Sequence, residues 1–464
     1  MARNRRPCAG GKKRGSVALI TDMSQGRPAA ILWRFTIPML LSAVFQQLYN
    51  VADSVVAGRF VGEDALAAVG ASFPITMIFM AVALGSNTGC SVIISQLFGA
   101  KETARMKTAV STSVIAILAL SALLTAGGFL FCEPLMRLLG TPENVFADSQ
   151  LYLNVYIGGL TFLFLYNICT GVFTALGDSR TPLLIIGVAT VVNTVLDLWF
   201  VAGLGMGTAG AALATTAAQA VSFGMALVLV ARRTGLLQPK LSFFRMHGAL
   251  LRLILRLGIP SALQMTIAGF SWLVVTFLVN QYGVNVSAGN GVAIKIKDIC
   301  QLFISAMASG ATTMIAQNLG ASKFERAKDV MYTAMKITCA MAAAMIVLVE
   351  LFAPQMAAVF TNEAAVRDAA VLNLRIEILG QIFYAVFMVY HALAIGAGHS
   401  TFAMLSSFAN CIVFRVVLSL LFNHLWGIYG LYAACAVAPS ISVPLGWLYT
   451  RSGVWRRSLA KTEK

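Results

Sequence analysis

Apolar stretches of about 20 residues, the length that crosses a ~30 Å hydrocarbon core as a helix, recur along this chain almost without pause. They centre on residues 35–57, 66–90, 108–131, 150–175, 181–203 and 208–231. After a polar gap they resume at 254–280, 286–316, 331–353, 370–396, 401–423 and 428–449, which makes twelve, the last two closely spaced. With 58% of its residues hydrophobic and 11% charged, the chain lacks the ionised surface that a soluble protein of this length needs. The expected fold is an all-α integral membrane protein with twelve transmembrane helices.

A net charge of +16 would suit nucleic-acid binding, but its distribution argues otherwise. With the N-terminus in the cytoplasm, the inside segments carry 27 of the 34 Lys and Arg, while the outside loops carry only Arg59, Arg137 and Arg367. Lys295, Lys297, Arg375 and Arg415 fall within expected helices. This is the positive-inside pattern, so both termini are expected in the cytoplasm. The basic balance then reflects topology and anionic headgroups, and no nucleic-acid partner is expected.

The eight cysteines are scattered singly, without a C-x-x-C pair, and read as small buried hydrophobes rather than a disulfide frame or metal site. The opening MARNRRPCAGGKKRG is basic, and its only apolar core, Val17–Ile20, is too short for a signal peptide. Residues 1–29 therefore read as a cytoplasmic tail, with Met23 as a second candidate start.

The twelve stretches fall into two sets with the same punctuation. Helix 1 begins RFTIP (Arg34–Pro38) and helix 7 begins RLGIP (Arg256–Pro260). Gly62 and Gly70 are answered by Gly283 and Gly291, SQLFGA (Ser95–Ala100) by AQNLGA (Ala316–Ala321), and ALGDS (Ala175–Ser179) by GAGHS (Gly396–Ser400). Gly207 and Gly210 are answered by Gly427 and Gly430, so that five marks repeat in order at offsets of 220 to 222. Six spans per set is an even number, so both sets enter from the same side and are related by an axis along the membrane normal. The expected organisation is a six-helix bundle over 30–231, a basic cytoplasmic linker over 232–251, a second bundle over 252–450 and a basic tail over 451–464. Two such bundles enclose a cleft that rocking exposes to either side. Pro38 and Pro260 mark either a helix start or a bend near the cytoplasmic surface.

Ionisable groups inside spans are costly and are functional candidates by default. Asp53 lies deep in helix 1, and Gln46, Asn50 and Asp53 share a stripe of it. Helix 5 carries Asp197, with Asn193 one turn earlier and Thr190 about one more; helix 6 adds Thr215 and Gln219, and helix 4 Tyr152. A buried carboxylate resists staying charged, and two that share a site resist it more, so the pair suits loading and unloading a proton or sodium ion. The alternative is an acid that only holds helices together. In the second half the position matching Asp53 is Val274 or Val275. Arg415 lies too deep in helix 11 to reach an interface and calls for a partner within the protein, with Glu377 as a candidate. His391 is either a proton relay or a hydrogen-bonded interior histidine.

These residues together resemble the multidrug and toxic compound extrusion (MATE) family of bacterial efflux transporters. The resemblance rests on IP-x-L (Ile37–Leu40), QQLYN-x-x-D (Gln46–Asp53), V-x-AG-R-F-x-G (Val56–Gly62), ALGD-x-RTP (Ala175–Pro182) and GAA-x-AT (Gly210–Thr215), and spans residues 22 to 450. It implies a multi-pass transporter of the bacterial cytoplasmic membrane, expected as a monomer, that exports amphipathic, often cationic compounds in exchange for protons or sodium. The family's N-half cation site maps onto Asp53, Asn193, Asp197 and Thr215, with Tyr152 as a neighbour. Family members with a helix 7 glutamate have a C-half site, and this sequence has no such residue. A flippase for lipid-linked precursors is the alternative within the superfamily. No P-loop, H-E-x-x-H or nucleophile–base motif is present, so neither direct ATP drive nor an enzyme is expected, and no cofactor beyond the coupling H+ or Na+.

Overall fold

The computed structural model describes residues 20–60, 63–236 and 243–456. The helices of the first half are α1 (Pro28–Phe60), α2 (Glu63–Gly99), α3 (Thr103–Leu138), α4, α5 (Arg180–Gly203) and α6 (Gly207–Thr234). Of these, α4 is a bent pair, Glu143–Gly158 and Leu160–Ala175, set at 47°. Its bend falls at Gly159, where a Cβ would lie 2.6 Å from the Thr216 methyl, so α4 turns where it presses on α6. The second half holds α7 (Gly248–Asn280), α8 (Val284–Gly320), α9 (Phe324–Ala358) and α10 (Ala364–Gly396), followed by the helical run Ser400–Ser452.

That run is two spans. Gly427 has φ +60° and ψ −141°, a conformation open to glycine, and the chain reverses there. Ser406 Oγ donates to Ser442 Oγ at 3.2 Å across the two limbs, and a Cβ on Gly430 would sit 2.1 Å from the Phe422 carbonyl. The limbs are α11 (400–426) and α12 (428–452). Among the described residues ten helical runs are long and apolar enough to cross a membrane; α4 adds an eleventh, and division of the last run adds the twelfth. Pro38 and Pro260 lie inside α1 and α7, so neither marks a helix start. Both helices begin earlier, toward the basic end, than their apolar stretches did.

Within the first half α1 packs on α5, α6 on α5, and α4 lies between α2, α3 and α6; in the second, α7 packs on α11, and α8 on α9 and α10. The halves meet through α2 against α7 and α8, and α1 against α8 and α9. Their relation is legible in the backbone. Lys101 and Ser322 both have positive φ, 60° and 59°, as do Gly177 and Gly398 at 77° and 85°. Gln96 Nε2 donates to the Gly396 carbonyl at 2.8 Å, and Gln317 Nε2 donates to the Ala175 carbonyl at 2.8 Å. A Cβ on Gly99 would lie 1.9 Å from the Gln317 carbonyl oxygen, and one on Gly320 the same distance from that of Gln96. Two glycines thus permit the backbones of α2 and α8 to touch at the basic end.

The segment before α1 is threaded into this closure. Met23 is fully buried; its N–H donates to Gln317 Oε1 at 3.0 Å, and its carbonyl accepts from Asn318 Nδ2 at 3.3 Å. Lys323 Nζ donates to the Ser24 carbonyl at 2.7 Å and Arg326 to that of Gly26 at 2.7 Å. On the other side, Gly177 leaves room for the Thr21 carbonyl. The bundle is therefore closed at this end by direct contact between halves plus a strap from the N-terminal segment.

Candidate functional site

α1 reaches into the first half with Tyr49, Asp53 and Val56 on one side. Val56 packs with Val201 of α5 and Ala211 of α6, which fixes the rotation of α1 against both helices. The acid of α5 comes just before a π-helical turn, Leu198–Gly203, and Gly210 allows α6 to pass close to Phe200 of that turn. Wide turns of this kind recur at functional positions because they re-aim the adjacent side chains.

Asn193 and Asp197 are fully buried and Thr215 is 6% exposed, while Asp53 is half-buried. Tyr49 and Tyr152 are buried and lie within electrostatic reach of both carboxylates, and the Tyr49 hydroxyl is beside Thr215. The four mapped residues therefore gather from three helices. Among the described residues, Asp53 Oδ1, Asp197, Asn193, Thr215 and Tyr49 find no well-formed hydrogen bond outside the cluster, where Tyr49 faces Thr215 and Asn193 faces Asp197. Buried polar atoms are rarely left so, because each costs about 1–3 kcal/mol unmatched. A cluster rich in hard oxygen donors with two carboxylates suits a proton or a small monovalent cation.

The secondary candidates divide. Tyr152 stacks on Tyr156, ring centroids 6.5 Å apart, at the edge of the cluster. Thr190 ties α5 to α1, its hydroxyl bonding to the Ile186 carbonyl at 2.9 Å and reaching the Phe45 carbonyl at 3.5 Å. Gln46 and Gln219 are half-buried, whereas Asn50 is exposed and donates to Gln47 Oε1 at 3.2 Å. Tyr49 was not anticipated; its place one turn before Asp53 was the available signal, but a mid-span aromatic reads first as packing.

In the second half Val275 is buried against Leu278, Leu431 and Tyr432, so apolar packing takes the place that Asp53 has in the first. Glu377 does not partner Arg415. It is bonded to Lys297, both buried, and Asn373 Nδ2 donates to its other oxygen at 3.2 Å. Arg415 lies over the Trp272 ring, 4.8 Å from its centroid. His391 is an interior histidine, its Nδ1 3.0 Å from Gln264 Nε2 and its ring 4.0 Å from that of Phe387. The seven described cysteines are free thiols, six of them buried.

The chain matches the family described as MatE over residues 38–199 and 260–421, one match in each half. It is 30% identical over 352 residues to "Probable multidrug resistance protein YoeA" of Bacillus subtilis, covering 74% of this chain and 76% of that protein. It is 24% identical to the "FAD transporter" of Shewanella oneidensis over 88% of this chain and 91% of that protein. Among solved structures, a crystal structure of MATE in complex with MaD3S superimposes with a TM-score of 0.87 at 25% identity, covering 94% of this chain and 98% of the other.

Proposed function

The chain belongs to the MatE family, and on that premise we propose that it exports amphipathic, cationic compounds by alternating access in exchange for protons or sodium. The family's members among its relatives are transporters rather than enzymes. The observation that carries the proposal is the N-half cluster: two carboxylates, an amide and a hydroxyl gathered on α1, α5 and α6, with no well-formed hydrogen bonds to groups outside it. Asp53 and Asp197 take up the coupling ion, Asn193 and Thr215 complete its oxygen shell, and loading shifts the balance between the two access states. Both termini face the cytoplasm, by the distribution of Lys and Arg.

The driving force suffices. One charge moved through ~100 mV is worth roughly 2.3 kcal/mol, and about one pH unit adds ~1.4 kcal/mol per proton. One proton exchanged for one singly charged cation moves no net charge, so the pH step alone sustains about tenfold; a substrate without net charge uses both terms and reaches about several-hundred-fold. The names of the relatives, a multidrug resistance protein and an FAD transporter, show that substrate class varies among similar chains. The flippase alternative would need several free cations in the cleft, and Lys297 is already bound to Glu377.

In cells expressing the protein, Asp53→Asn and Asp197→Asn are each expected to reduce efflux of a cationic dye at least tenfold at unchanged abundance in the membrane. Full efflux in both variants would remove the N-half cluster from the mechanism.

A further inference from the structure

We propose that Arg415, a charge buried in the second half, receives an anionic oxygen group, carboxylate or phosphate, of the transported amphiphile. This inference rests on the export reading above and narrows its substrate to molecules that carry such a group.

Arg415 is 8% exposed, on a turn of α11 that packs against α7 and α12. A guanidinium cannot shed its proton at any cellular pH, so its charge must be met in place. Among the described residues its Nε has no hydrogen-bond partner, and none of the ion pairs includes it. Glu377, within reach of the same thiol, Cys435, is engaged by Lys297 and Asn373. Asp298, which like Arg415 acts on Tyr384, lies on an exposed side of α8. The Trp272 ring answers one face of the guanidinium but none of its N–H groups. An uncompensated buried ion costs several kcal/mol, which a bound anion would relieve.

The backbone is built to present this group. Residues Ala409–Val416 of α11 are π-helical, and an i to i+5 repeat brings Asn410 into register with Arg415. Ser419 follows one α-turn later. Asn410 Oδ1 is buried and also without a partner, and the Ser419 hydroxyl lies beside the Cys435 thiol. A guanidinium fork with a hydroxyl beside it matches the two oxygens of a carboxylate or phosphate. The corresponding helix of the first half, α5, has its own π-turn next to Asp197. The two halves thus carry buried charges of opposite sign in corresponding helices, which favours an amphiphile bearing both a cationic and an anionic group.

The test uses full-length protein in phosphatidylcholine vesicles and a cationic dye with a free carboxylate, alongside its methyl ester. Wild type is expected to transport the carboxylate form in preference, and Arg415→Gln to lower the carboxylate-to-ester ratio about tenfold or more. A ratio unchanged in Arg415→Gln overturns the proposal. Should that variant not reach the membrane, wild type alone decides: decanoate is expected to inhibit carboxylate-dye transport and methyl decanoate not, and equal inhibition overturns it. A ratio that falls when phosphatidylglycerol is added would assign Arg415 to a lipid headgroup and likewise overturn it. Absence of transport of either dye by wild type would instead contradict the export reading.

Discussion

Lys297 and Glu377 depend on each other, because each charge is tolerable in the bundle only beside its partner. Lys297→Ala is expected to destabilise the protein by about 3–5 kcal/mol, read as a lowered melting temperature in detergent. The double variant Lys297→Met with Glu377→Leu should recover most of that loss; a double variant as unstable as the single one would show that the pair matters for more than charge balance. Residue types singled out Asp53 and Asp197, since acids in spans are few enough to stand out, and the family resemblance added Asn193 and Thr215 to them. They did not locate Tyr49, nor show that Asn50 turns outward, because a stripe of polar residues fixes a helix face only to within a residue or so. The packing of Val56 on α5 and α6 settles that rotation, with Tyr49 in and Asn50 out. Arg415 was legible as a buried charge in need of a partner, but Glu377 turned to Lys297 instead, a choice that depends on how α8, α10 and α11 pack.

Among the elements, hydropathy gave the number and order of spans, and the glycines at 427 and 430 already marked the last boundary. The π-turns in α5 and α11 and the bend in α4 left no mark in hydropathy, which averages over a span and is blind to a change of pitch or direction within it. The strap over residues 20–27 was likewise hidden: it reads as the end of a basic tail, yet Met23 is fully buried between Gln317 and Asn318. If this contact closes one access state, holding it should stop transport. Ser24→Cys with Lys323→Cys, joined by a short bifunctional methanethiosulfonate in a background lacking native cysteines, is expected to abolish efflux, and reductant to restore it. Unimpaired efflux by the cross-linked protein would show that the strap moves with the second half throughout the cycle.

For the whole molecule, the internal duplication was visible in five repeated marks, and the structure renders it as matched contacts, with Gln96 and Gln317 each reaching into the other half. What the duplication does not carry over is chemistry: Val275 stands where the first half has Asp53, and beyond the Lys297–Glu377 pair the second half holds the buried charge of Arg415. In the proposed mechanism ion coupling belongs to the first half and the rocking geometry to the pair. Its central claim is tested most directly by dye transport in proteoliposomes under separately imposed proton and sodium gradients, with wild type, Asp53→Asn and Asp197→Asn compared side by side. Wild type is expected to concentrate the dye under one of the two gradients, and both variants to fall to the rate of protein-free vesicles. Gradient-driven transport at the wild-type rate in either variant would contradict it.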